Sequence, residues 1–183
     1  MRVIVKAVVK GITQENLKDI PEPCRSCLYW EFPEDSEKTK LSKSELVRKK
    51  KSWFLKTLRE FGNCGSLVYY DNDVIGYAQY APATCLSNVG SYESKLIGQL
   101  EDGTVFLSCL YVGEKTFRGR GIGTKLLESI ISDLKKRGFK AVETFARSGS
   151  SNNPSGPIEL YLEKGFRIKE ETTSGFPLAR LEL

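Results

Sequence analysis

Residues 118–124 read Arg-Gly-Arg-Gly-Ile-Gly-Thr, so three glycines, Gly119, Gly121 and Gly123, stand at alternate positions beside Arg118 and Arg120. Glycine lacks the Cβ that holds a bulky anion off the main chain, and successive N–H groups can then turn toward one phosphate. The two guanidiniums add donors that grip phosphate oxygens in pairs. Downstream, Ile122, Leu126, Leu127, Ile130, Ile131 and Leu134 recur at helical spacing, which predicts a helix whose positive dipole end faces the glycines. Lys135, Lys136 and Arg137, followed by Gly138, suit its negative end and a left-handed cap. The ligand expected here is anionic and nucleotide-like, with a pyrophosphate.

The elements around this run must position it. The apolar stretch 104–112 reads as a strand and 141–146 as another; two strands joined through a helix lie parallel in one sheet. Upstream, 3–9 is a strand candidate, 13–20 a weaker helical segment closed by Pro21 and Pro23, and 44–61 a helix. Runs 66–70 and 74–80 flank Asp71, Asn72 and Asp73, residues that tolerate turn geometry, and read as a hairpin. Residues 81–103 and 147–157 are rich in proline, glycine and serine; the first has the length of a binding loop and is placed beside an acceptor site. A short helix at 158–164 and a strand at 166–170 follow. The expected class is mixed α/β, antiparallel strands first and a parallel β-α-β unit after them.

Other phosphate loops fit less well. The nucleoside-triphosphate loop needs Gly-Lys-Ser/Thr, whereas Gly123 is followed by Thr124 and then Lys125. The dinucleotide fingerprint would put its third glycine on Thr124, although Glu143 lies at a suitable distance downstream. A plain surface turn remains as the bland reading, but such turns rarely carry three glycines and two arginines.

A second run, Tyr161-Leu-Glu-Lys-Gly-Phe166, follows the second parallel strand. With Arg118-Gly-Arg-Gly-Ile-Gly123 it gives, in order and separation, the two motifs of the GCN5-related N-acetyltransferases (GNAT), a family this chain resembles from about residue 104 to residue 166. The resemblance implies a central mixed sheet with helices on both faces and acetyl-coenzyme A (acetyl-CoA) as cofactor. It also implies direct transfer of the acetyl group to a primary amine of a small molecule or peptide in a ternary complex. Coenzyme contacts are then expected from Leu110, Tyr111 and Val112 at the strand end, and from Phe117, Arg118, Gly119, Arg120, Gly121, Ile122, Gly123 and Thr124. Asn153 either caps the following helix or touches the coenzyme. Tyr161 is the expected acid for the departing thiolate, a packed helix tyrosine being its bland reading. Some members carry a basic glutamate on the strand before the phosphate loop, but residues 104–112 contain no carboxylate. Glu31 and Glu143 remain candidates, or a water chain, since the sequence has no histidine. A homodimer is a further expectation, dimers being frequent in that family. A non-catalytic acyl-CoA sensor and a nicotinamide-dependent oxidoreductase are the competing readings.

Composition bounds the rest. At 183 residues and 40% hydrophobic content, one soluble domain covering 1–183 is expected. No run is long enough to cross a bilayer and no secretory segment is evident, so the reading is cytoplasmic, with no membrane partner. A net charge of +5 suits an anionic ligand and is too small to argue for nucleic acid. The run Arg48-Lys49-Lys50-Lys51 reads as a solvated helix face. Cys24 and Cys27 have the spacing of half a zinc site, but the other half is missing, so no metal is expected. Trp30 and Glu31, aromatic beside carboxylate, form a candidate amine-binding pair, with packing in the core as the alternative.

Overall fold

The computed structural model describes residues 7–37, 40–97, 103–113, 115–149 and 151–183. Seven strands, β1 (Val8–Gly11), β2 (Gly65–Tyr70), β3 (Asp73–Ala81), β4 (Thr104–Val112), β5 (Ala141–Phe145), β6 (Arg167–Glu170) and β7 (Leu178–Glu182), form one sheet in the order β1-β2-β3-β4-β5-β7-β6. Among these described strands only β4 and β5 pair in parallel; the remaining neighbours are antiparallel. Among the described residues four α-helices, α1 (Pro33–Glu37), α2 (Lys43–Glu60), α3 (Ile122–Lys136) and α4 (Ile158–Glu163), accompany it. One face of the sheet packs Val105 and Leu107 against Leu126, Leu127, Ile130 and Leu134 of α3. The other packs Phe106 and Phe145 with Trp30 and with Trp53 and Phe54 of α2. Each fully buried leucine or isoleucine of α3 contributes roughly 2 kcal/mol relative to an exposed one.

The hairpin closes as its residues require: Asp71 and Asn72 both have positive φ, 47° and 72°, the two-residue turn that matches strand twist. Three expectations change. The segment 13–20 forms only a 3-10 turn at Leu17–Asp19, because Asn16 closes a turn through its side chain to the Thr13 amide and Gly11 carbonyl. The first strand begins at Val8 within the described residues, and the earlier part of 3–9 lies outside them. β7 is an additional strand without a counterpart in the expected order; it inserts between β5 and β6.

One irregularity opens the middle of the sheet. In the β3–β4 ladder Gln79 faces Cys109 but Tyr80 faces Leu107, so Ser108 is an extra, bulged residue. A bulge bends its strand, and β4 pairs with β5 only through Thr104, Val105 and Phe106. Beyond that point the two parallel strands part.

Helix α2 starts on a capping box, Ser42 and Glu45 each bonding the other's main chain. Hydrogen bonds from Ser42 hold the Glu45 carboxyl below its usual value of 4.5; those from Ser94 do the same for Glu170, and those from Arg180 for Glu182. Folded values below the unfolded ones mean that this stability is present above about pH 4.5 and is lost as pH falls through the folded values. The melting temperature is therefore expected to hold from neutral pH to about pH 5 and then fall, with a shallower acid slope in Glu45→Gln and Glu170→Gln. An unchanged slope in both variants would remove these contacts from the acid response.

Candidate active site

The glycine-rich run caps α3 without a side chain. Gly121 is the N-cap with φ 83° and no side-chain cap bond, and Gly119 has φ 71°, left-handed geometry that glycine adopts without strain. The N–H groups of Ile122, Gly123 and Thr124 lie in the first helical turn, where no intrahelical acceptor exists. They form a donor cluster at the positive end of the helix dipole. The three glycines differ in their reason. A Cβ at Gly119 or Gly121 would meet nothing within 4 Å, whereas one at Gly123 would lie 3.3 Å from Leu110 and 3.4 Å from Leu160. Gly123 thus lets α3 approach β4. Ile122 points its side chain into the core, 3% exposed, and offers a ligand only its main chain.

Arg118 folds back on the end of β4, its Nε 3.2 Å from the Val112 carbonyl and its Nη2 3.3 Å from that of Gly113. Arg120 and Thr124 stand at the mouth of the cradle, exposed and half-buried. Phe117 packs edge-on against Tyr70 at 5.6 Å, and Tyr111 is half-buried, opposite Tyr77.

Where β4 parts from β5, the segment after β5 lies along the freed edge. The Leu110 amide donates to the Pro154 carbonyl at 3.0 Å and Ser155 Oγ donates to the Ser108 carbonyl at 3.3 Å. The expected coenzyme donor at Leu110 is thus engaged by the chain itself, a contact the sequence did not indicate. Tyr161 is fully buried and donates its phenol proton to the Ser155 carbonyl at 2.5 Å. Burial pushes its pKa well above the usual phenol value. Its side chain therefore does not open to solvent. Asn153 does not cap α4, whose N-cap is Pro157; its Nδ2 instead donates to the Arg147 and Gly149 carbonyls at 2.7 and 2.8 Å. Its Oδ1 is buried without a partner.

Trp30 and Glu31 lie on the opposite face of the sheet, away from α3. Trp30 stacks on Tyr92 at 5.2 Å and meets Phe106 edge-on at 5.4 Å, so core packing accounts for its ring. Glu31 is the centre of a buried polar network: Lys50 Nζ and Gln79 Nε2 both donate to its Oε1 at 2.5 Å, and Tyr77 donates to Gln79 Oε1. Glu31 Oε2 and Trp30 Nε1 are buried without partners. Gln79 sits opposite Cys109 on β4, so this network reaches the strand that carries Leu110. Lys50, Gln79, Tyr77, Pro154 and Ser155 carry no motif that singles them out in the sequence. Lys50 also corrects the solvated-face reading of 48–51, being 4% exposed.

Glu143 is buried on β5 and paired with Arg180 at 3.1 Å. Burial raises its carboxyl above the usual value, against the lowering by Arg180. That pairing makes it a structural charge in this arrangement. Cys24 and Cys27 are free thiols, buried and exposed respectively. The Cys24 thiol bonds that of Cys109, and this contact and burial push Cys109 well up. Among the described residues no group of three or more His, Cys, Asp or Glu gathers to hold a metal, and no helix is long and apolar enough to cross a membrane.

A parted pair of parallel strands, ending beside an uncapped glycine-rich helix start, makes a site suited to an anionic ligand. The model of the acetyltransferase (GNAT) family matches residues 22–166, and the chain belongs to that family. An uncharacterised N-acetyltransferase of Methanocaldococcus jannaschii is 28% identical over 163 residues, 88% of this chain; the chain spans 61% of that relative's length. Among solved structures, the PaiA N-acetyltransferase of Thermoplasma acidophilum in complex with coenzyme A superposes with a TM-score of 0.59 at 16% identity, covering 97% of this chain and 99% of that one. A GNAT acetyltransferase of Brucella melitensis in complex with acetyl-CoA gives 0.56 at 17% identity, covering 98% and 89%. These likenesses establish the fold.

Proposed function

We propose that this protein, as a single domain, binds acetyl-CoA and transfers its acetyl group to the primary amine of a small molecule or peptide by direct attack in a ternary complex. The observation that carries the reading is the uncapped start of α3 at the end of β4, beside the edge that the Ser108 bulge separates from β5. Family membership supports acetyl transfer, and the coenzyme complexes of two proteins of the same fold support the choice of ligand.

The residues present fit that ligand. The diphosphate is assigned to the amides of 119–124 with Arg118 and Arg120. The pantetheine arm is assigned to the edge of β4 at Leu110 and Val112, with the Pro154 carbonyl giving up the Leu110 amide, and Asn153 Oδ1 is a free acceptor for one of its amides. The coenzyme supplies the acetyl group as a thioester. Tyr161 is the proton donor in this reading: its phenol is one hydrogen bond from Ser155, which itself touches β4 at Ser108. Glu31, with its free Oε2, draws the acceptor amine to the opposite face of the sheet. An alkylamine with a pKa near ~10.4 must lose a proton before attack, and its acceptance by Glu31, directly or through water, completes the assignment.

A thiol-release screen over amino acids, polyamines, aminoglycosides and peptide amino termini tests the reading. Arg118→Ala is expected to raise the KM for acetyl-CoA about tenfold, the worth of one charge-assisted pair. Coenzyme binding without thiol release from any amine would instead favour a sensor.

A further inference from the structure

A cavity of about 660 Å³ lies between the segment 14–25 and α2, and neither the cradle nor the edge of β4 lines it. Its apolar wall is Leu17, Ile20, Val47 and Phe54, and its volume is in the range of small-molecule sites. Its charged residues are unbalanced: Lys18, Arg25, Lys43, Lys50 and Lys51 against Glu15 and Glu22. Pairing commits part of both signs, since Glu22 binds Arg25 at 3.2 Å, Lys43 at 3.4 Å and Ser26 at 2.7 Å and Lys50 is held by Glu31, which leaves Lys18 and Lys51 against Glu15. Lys18 and Lys51 make no ion pair with any described residue and are exposed at the rim.

Two features tie the cavity to the acetyl-transfer site. Lys50 lines it and bonds Glu31, so the partnerless Glu31 Oε2 lies one side chain beyond its inner wall. A smaller depression of about 320 Å³ continues from residues 18–25 to Asn72, Asp73 and Val74. That hairpin turn meets the end of β4, where the Gly113 amide donates to the Ile75 carbonyl at 3.1 Å. The cavity therefore lies on the sheet face that carries Glu31, and the adjoining depression reaches the end of the sheet that carries the cradle.

We propose that this cavity holds the body of the acceptor, and that the acceptor is an amine with an apolar middle and a distal anionic group, a carboxylate or a phosphate. The assignment rests on the acetyl-transfer reading above. The amine end takes the place of Lys50 Nζ on Glu31 at the inner wall, the hydrocarbon covers Leu17, Ile20, Val47 and Phe54, and the anion meets the rim cations. A polyamine or other basic acceptor would place a second cation against Lys18, Lys43 and Lys51, and like charges in apposition oppose binding.

A matched pair of substrates tests this: ω-aminooctanoate and α,ω-diaminooctane differ only in the far charge. The carboxylate amine is expected to have a kcat/KM at least about tenfold higher, and Lys43→Glu with Lys51→Glu to bring the ratio below one. An ω-aminoalkyl phosphate of the same length decides between carboxylate and phosphate. Octanoate, which has no amine, is expected to bind in calorimetry and to lose binding in the double variant. Octanoate binding without thiol release from any amine would overturn acetyl transfer while leaving the anion site standing. Equal or better use of the diamine, or octanoate binding unmoved by the charge reversals, would overturn the proposed acceptor class. Should the double variant fail to fold, the wild-type ratio for the matched pair decides alone.

Discussion

A Tyr161→Phe protein is expected to bind acetyl-CoA within about threefold of the parent and to turn over about a hundredfold more slowly, the lower range of what a positioned general acid supplies. The phenol lies on the α3 side of the sheet with its proton held by the Ser155 carbonyl, and Ser155 in turn bonds β4 at Ser108. Its burial keeps the proton on oxygen at every physiological pH, so the group arrives at the reaction in its acid form. Removing the hydroxyl also leaves the Ser155 carbonyl without its donor, a loss of about 1–3 kcal/mol in a buried setting. The two effects separate experimentally. A structural role alone would lower the melting temperature and leave turnover near normal below it, whereas an acid role lowers turnover at temperatures where the variant is fully folded. Turnover equal to the parent's would remove Tyr161 from the chemistry.

The second large effect is on stability. Lys50→Ala is expected to cost about 3–5 kcal/mol, because it leaves the Glu31 carboxylate buried without its counter-charge. Both side chains are nearly inaccessible, 6% and 0% exposed, so solvent does little to screen the loss. For a chain of this length the melting temperature should fall by roughly 6–20 °C. Lys50→Met should be as damaging as alanine, and Lys50→Met with Glu31→Gln should recover most of the loss, Gln79 still having an oxygen to bond. Equal stability of Lys50→Ala and the parent, by chemical denaturation at neutral pH, would mean that Glu31 finds another partner.

The legible parts of the fold are those where local pattern and tertiary role agree. Helix α3 buries Ile122, Leu126, Leu127, Ile130 and Leu134, and the same residues mark its apolar stripe in the sequence. The turn at Asp71 and Asn72 needs positive φ, and both residue types tolerate it. β7 is hidden because Leu178–Glu182 alternates without a polar face: Leu178, Ala179 and Arg180 are all buried, the last by its pairing with Glu143. Nothing local announces that a strand will be inserted between two others. Lys50 is easily misjudged although its position is informative. It falls with Val47, Phe54 and Thr57 on one side of α2, and the buried residues of that helix include it. A lysine on an apolar stripe is a sign of a buried partner, here Glu31, nineteen residues away in the chain. The glycine cradle and Tyr161 are legible as motifs. The engagement of Leu110 by Pro154, and of Tyr161 by Ser155, is not, because both depend on how the bulge at Ser108 opens the sheet.

The central claim is that the coenzyme's diphosphate rests on the main chain of residues 119–124. A crystal structure of the protein with acetyl-CoA tests it most directly. The diphosphate oxygens are expected within hydrogen-bond distance of those amides, with the pantetheine arm along β4 at Leu110 and Val112. A diphosphate seated anywhere else, or no bound coenzyme at concentrations that saturate calorimetric titration of related acetyltransferases, would contradict it.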